Sequence, residues 1–298
     1  MASVSEHDSH PRRRLTVKDS EMAFVDTGEG EPVVFLHGNP TSSYIWRNII
    51  PHAAPMARCL APDLIGMGAS GRNPRGGYRL ADQIGYLDDW FEQLALGDRV
   101  TLVMQDWGVV LGFDWARRHP QRVRGMVHME GIIRPMQWEE WPQRTREFVA
   151  RLKSPEGEKL VLEENAIVEK FLTLGTARTF SEAEMATYRQ PYLSAGTSRQ
   201  PTLDLAREIP LGGEPKPACA MIQASADWLV RCDIPKLLIS ARPGLNLTGA
   251  MLDFCRSWPN QREVVVDGIH FLQEDAPQQI GTAIVEFLRE TNRPVGRS

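Results

Sequence analysis

A chain of 298 residues with 42% hydrophobic and 24% charged residues has the composition of an ordinary globular protein, long enough for a sizeable core, which excludes disorder, coiled coil and collagen-like repeats. The formal net charge of -4, with Lys and Arg scattered along the chain, leaves no basic face for phosphate backbones or anionic lipid, so neither nucleic acid nor membrane is an expected partner. The four cysteines, Cys59, Cys219, Cys232 and Cys255, form no CxxC pair and have no His at metal spacing, which argues against a zinc site or a disulfide framework and for a reducing, cytoplasmic setting.

The first segment, Met1 to Arg14, is polar and ends in the run Arg12-Arg13-Arg14 without the apolar core of a signal peptide; His7 and His10 read as parts of a frayed tail. Amphipathic stretches at Leu15 to Lys18 and Met22 to Thr27, joined by Asp19-Ser20, predict an edge hairpin. Short apolar runs then recur at Val33 to Leu36, Arg58 to Ala61, Val100 to Met104, Val123 to Met129, Lys236 to Ser240 and Glu263 to Val266, and read as buried parallel strands. Helical stretches such as Leu80 to Leu94, Val109 to Arg118 and Gln278 to Glu290 alternate with them, which predicts a doubly wound α/β sheet of about eight strands. No apolar run approaches the roughly 18 residues of a membrane span.

Between Ile133 and Gly213 the strand signal stops. Charged helical segments at Gln143 to Lys153, Glu156 to Asn165 and Glu182 to Tyr188, punctuated by Pro135, Pro142, Pro155, Pro191, Pro201 and Pro210, predict several short helices. An insertion there would lie over the carboxyl ends of the strands, where open α/β sheets bind ligands. The expected organisation is a core domain, 1–132 with 214–298, and a helical cap, 133–213.

Chemistry concentrates at strand ends. Val100-Thr-Leu-Val-Met-Gln-Asp106-Trp107-Gly108 runs from a buried strand through a Gly-bearing turn into a helix, as a nucleophile elbow does. Gly108 obeys the small-residue requirement two positions past the centre and Met104, two before it, does not; an Asp that caps the following helix is the structural alternative. His37-Gly38-Asn39-Pro40 follows the strand Val33 to Leu36 where an oxyanion-stabilising loop belongs, with His37 read as a structural histidine. His270, just past the last strand, stands at the general-base position, and no carboxylate between Asp233 and Asp253 is placed to orient it. Glu130 is the candidate acid instead, because a Glu leaving a buried strand is costly unless partnered.

A carboxylate nucleophile attacks without a base and leaves an ester for water to hydrolyse, which fits saturated carbon bearing a halide or an epoxide. The Trp107 indole N–H and the Asn39 amide are donors suited to a halide ion. An epoxide would need an acid, and Tyr188 and Tyr192 in the insertion keep that reading open against simple helix packing.

Together these segments, with His37 to Arg47, Asp63-Leu-Ile-Gly-Met-Gly68, Met129-Glu130 and Gly268-Ile-His270-Phe-Leu-Gln-Glu-Asp275, resemble the haloalkane dehalogenases of the α/β-hydrolase fold, in the subgroup whose acid follows the sixth strand. The resemblance spans nearly the whole chain and implies an eight-stranded, mostly parallel sheet with a helical cap between strands 6 and 7. It implies Asp106 as nucleophile, His270 as base, Glu130 as acid, Asn39 and Trp107 as halide ligands, and their backbone N–H groups as the oxyanion hole. The implied partners are a small halogenated alkane, halide and water, with no cofactor or metal, in a monomer or small homo-oligomer. Trp141, Ile167, Phe171 and Leu174 of the insertion, with Phe271, are expected to line an apolar pocket. A similar set of residues occurs in a marine luciferase of the same family, and a non-catalytic ligand receptor on this scaffold is the reading from another class. The chain departs from the pattern at Leu203-Asp204-Leu205-Ala206, at Leu172-Thr173-Leu174-Gly175 and at Arg242-Pro243, where relatives carry an aromatic-Pro pair, Leu-Pro-Gly and Glu-Pro.

Overall fold

Eight strands form one sheet: β1 (Arg12–Val17), β2 (Ser20–Thr27), β3 (Pro32–Leu36), β4 (Arg58–Pro62), β5 (Val100–Gln105), β6 (Val123–Met129), β7 (Lys236–Pro243) and β8 (Gln261–Gly268). The computed structural model describes residues 4–141 and 143–292; Pro142, one of the expected helix breaks, lies outside the described residues. The order is β1-β2-β4-β3-β5-β6-β7-β8, with β1 and β2 antiparallel and β3 to β8 parallel. Every residue of β5 is buried, which is why it reads as a continuous apolar run: helices cover both faces of its position in the sheet.

Register decides where chemistry can gather. Leu36 pairs with Met104, Met104 with His128, and Gln105 with Met129. The residues that follow, His37 to Asn39, Asp106 and Glu130, therefore leave the sheet side by side at its carboxyl edge.

The predicted strands are all present, and the helices Leu80–Leu94 and Gln143–Lys153 match their expected limits. Several details differ. The first strand begins at Arg12, ahead of its expected start at Leu15, and His10 is tied down rather than frayed, its Nε2 3.1 Å from the Arg47 carbonyl. The elbow helix begins at Trp107, and the helices Lys216–Leu229 and Gly249–Arg256 flank β7. The expected helix Glu156 to Asn165 is one α turn followed by a π-helical stretch, Lys159–Glu163, and a second π stretch spans Ile167–Leu172. Asn165 between them has φ +55°, a left-handed conformation that Asn tolerates and that interrupts the helix.

The inserted helices carry a small apolar cluster of their own, centred on Leu152, Leu160, Val161, Ile167 and Leu203. The helix Lys216–Leu229 instead packs on Trp107–Arg118, so the chain has returned to the sheet by then. No helix among the described residues is long and apolar enough to cross a membrane.

Candidate active site

Asp106 sits between β5 and its helix at φ +53°, ψ -124°, a conformation that costs on the order of 1–3 kcal/mol for a residue with a Cβ and persists only where packing imposes it. The packing is visible at the flanking glycines. A Cβ on Gly108 would stand 2.1 Å from the Leu36 carbonyl oxygen, and one on Gly38 would stand 2.1 Å from Asp106 Oδ1. Met104, too large for the simple rule, is accommodated because Gly112 leaves room for it: a Cβ there would be 2.2 Å from Met104 Sδ. Asp106 does not cap the helix through its side chain. Its Oδ1 accepts the Asn39 backbone N–H at 2.7 Å and its Oδ2 faces His270 Nε2 at 3.5 Å.

His270 is fully buried between two carboxylates, with Nδ1 3.3 Å from Glu130 Oε2. Gln105 donates to the His270 carbonyl at 3.2 Å and holds the same amide nitrogen 3.2 Å from the ring Nε2. Burial alone would pull the imidazolium down; hydrogen bonds to Asp106 and Glu130, with their charges, outweigh it and push His270 up to about 9.

Glu130, at φ +45° and fully buried, is held by backbone in addition to His270: the amides of Asn246 (2.7 Å), Leu245 (3.1 Å) and Leu247 (3.4 Å) donate to its carboxylate. These amides belong to the loop after β7. Arg242-Pro243 bring no acid there because the loop cradles one supplied by β6, and the positive φ of Gly244 (+69°) turns the chain around it.

Asp106, Asn39 and Trp107 form the floor of a small apolar cavity of about 70 Å³, walled largely by the insertion. Trp141, Ile167 and Phe171 are among the residues that line it. Two expected residues do not. Leu174 is 75% exposed and borders a neighbouring outer depression, because it is the last helical residue before the Gly175 turn and faces solvent there. Phe271 is buried behind the wall, packed edge-on against Phe171 (5.5 Å) and His270 (4.6 Å). The lining residues missed in sequence include Thr145, Phe148, Val149 and Leu152, spaced i, i+3, i+4, i+7 on Gln143–Lys153, a stripe that periodicity alone could have exposed.

One N–H of the Asn39 side chain is committed to the Thr202 carbonyl at 2.9 Å, which leaves its second N–H available. Of the two expected oxyanion donors only the Asn39 amide hydrogen-bonds Asp106; the Trp107 amide, first in its helix, makes no such bond among the described residues. His37 is structural, accepting the Leu64 N–H at Nε2 and facing the Gly38 carbonyl from Nδ1. Neither Tyr188 nor Tyr192 lines the cavity: Tyr188 donates to Glu274, and the buried Tyr192 hydroxyl has no hydrogen-bond partner among the described residues. The epoxide reading thereby loses its acid.

A parallel sheet carrying an acidic elbow, with a buried His–Glu pair at the same edge, defines the class: the profile described as alpha/beta hydrolase fold matches residues 31–277. Over 281 residues the chain is 50% identical to a haloalkane dehalogenase of Sphingobium indicum, covering 93% of this chain and 95% of that protein. The crystal structure of the haloalkane dehalogenase DbeA from Bradyrhizobium elkani superposes with a TM-score of 0.90 at 41% identity, covering 94% of this chain and 98% of that one. At 40% identity, over 93% of this chain and 90% of the relative, it is also similar to the coelenterazine h 2-monooxygenase of Renilla reniformis. The chain belongs to the haloalkane dehalogenase family of α/β hydrolases.

Proposed function

We propose that the chain hydrolyses haloalkanes to alcohol and halide through an ester on Asp106, with His270 as base and Glu130 as acid. The observation that carries this is a carboxylate on a strained elbow at the floor of an apolar cavity, spared from helix capping. Asp106 Oδ2, which takes no Asn39 N–H and faces His270 at 3.5 Å, attacks the carbon; the new C–O bond forms as the carbon–halogen bond breaks, and its electron pair leaves with the halide. The Trp107 indole and the second N–H of the Asn39 amide receive the developing halide charge.

Once Asp106 is an ester its negative charge is gone, and the imidazolium loses one of the two partners that raised it. His270 gives its proton to solvent and Nε2 becomes a base. Water adds to the ester carbonyl as Nε2 takes its proton, the Asn39 N–H stabilises the charge on Oδ1, and collapse releases the alcohol and restores the carboxylate. Glu130, fixed by three amides, holds Nδ1 and the tautomer throughout.

In this reading 133–213 is the cap that keeps bulk water out, and 1–132 with 214–298 is the core. Substrate, halide and water are its only partners in a monomeric or small homo-oligomeric cytoplasmic enzyme, a setting supported by four unpaired cysteines. The His270→Gln variant, given 1-bromobutane, should release about one bromide per site and stop, with a butyl adduct on the peptide carrying Asp106 by mass spectrometry. Asp106→Ala should abolish the adduct. Sustained turnover by His270→Gln, or an adduct without Asp106, refutes the assignment, and light from coelenterazine without bromide release favours the monooxygenase chemistry of the Renilla relative.

A further inference from the structure

His270 is held from the inserted helices as much as from the sheet. The backbone N–H groups of His270 and Phe271 both donate to the Gly175 carbonyl, at 2.9 and 3.0 Å. Asp275 ties the same two segments: one carboxylate oxygen accepts Ala177 N–H (2.8 Å) and Arg178 N–H (3.3 Å), the other accepts Ile269 N–H (3.1 Å). Arg178 donates to the Glu274 carbonyl at 2.9 Å and to its carboxylate at 2.5 Å. Glu274 is fully buried and receives the Arg47 guanidinium at 2.6 and 2.9 Å, so the strand of contacts ends in the loop that also carries Asn39. The ring of Phe171, at the start of this segment, stands 5.3 Å from the His270 ring.

From this we infer that Phe171 to Arg178 form a seat for the base, and that Gly175 and Asp275 are positioning residues for ester hydrolysis; the inference rests on the assignment of His270 above. The physical reason is the division of labour between the two steps. Alkylation needs Asp106 and the halide donors, which hang from β5 and the Asn39 loop. Hydrolysis needs Nε2 within reach of a water on the ester, and a base misplaced by about 1 Å loses rate on the order of 100-fold. Asp275 can satisfy three amides only with both oxygens as acceptors. An Asn there turns its NH2 toward one of them and releases either Ile269 or the Ala177–Arg178 pair. Gly175 is equally constrained, since a Cβ would stand 2.9 Å from the Phe271 ring and 3.0 Å from the Phe171 carbonyl, pressing on the neighbour of the base.

The test is rapid-quench kinetics with 1-bromobutane on the full chain, separating the bromide burst from the decay of the alkyl-enzyme seen by intact mass. Asp275→Asn and Gly175→Ala should keep the burst within about threefold and slow ester decay roughly 10- to 100-fold, so that adduct accumulates. Arg189→Gln, which breaks the Glu169 and Glu182 pairs elsewhere on the insertion, should leave both steps unchanged. Ester decay at the unmodified rate in the folded variants, or alkylation and hydrolysis falling in parallel, overturns the seat. Absence of any adduct in His270→Gln would instead remove the assignment beneath it, and the two failures are distinct.

Discussion

Replacing Asp106 by Asn imitates the charge change of alkylation without a substrate, because the amide is neutral and nearly isosteric with the carboxylate. His270 stands 3.5 Å from Asp106 Oδ2 in a buried site. At an effective dielectric of about 20 a charge pair at that distance is worth roughly 4–5 kcal/mol, or about three pH units. His270, pushed up to about 9 in the unmodified protein, should therefore fall back to the neutral range in Asp106→Asn, where a proton can leave at physiological pH. Imidazole NMR of selectively labelled protein reads both midpoints directly. Stability reports the same linkage with a definite sign. The folded value lies above the ordinary 6.5, so His270 contributes fully below about pH 6.5 and loses that contribution as pH rises toward 9, an effect of about 3 kcal/mol. Denaturation midpoints of the parent should drop across that window, and those of Asp106→Asn should drop much less. Equal His270 midpoints in the two proteins would refute the argument that the ester itself releases the base.

Trp107→Phe keeps the aromatic wall and removes the N–H, and is expected to slow the bromide burst about 100-fold while leaving the circular-dichroism melt nearly unchanged. Gly38→Ala drives a methyl to within 2.1 Å of Asp106 Oδ1 and should displace the carboxylate; the measured outcome is a folded protein without a bromide burst. Phe271→Ala, in the core behind the base, should cost about 3–5 kcal/mol in urea unfolding, whereas Leu174→Ser at its exposed site should change stability by less than about 0.5 kcal/mol. Phe148→Ala opens the cavity wall, so the preferred bromoalkane should lengthen; an unchanged chain-length profile would show that this wall does not set specificity.

Local signals were sufficient wherever one element carries the information. The eight strands are runs of apolar residues because a doubly covered sheet tolerates little else, and the Asp106 elbow is a strand, a small residue and a helix in sequence order. Glu130 was legible as well, since a carboxylate at the end of a buried strand demands a partner. What sequence could not contain was the company each residue keeps across the chain. The amides that hold Glu130 come from 115 to 117 residues away and have no side-chain signature, because any residue but proline can donate a backbone N–H. Gly112 making room for Met104, the Thr202 carbonyl taking one N–H of Asn39, and Leu174 turning outward while Phe171 turns inward are likewise outcomes of packing between distant segments. Periodicity fixes which residues share a face, but the π-helical stretches of the insertion change the angle between successive residues, and only the folded chain decides which of them meets the cavity.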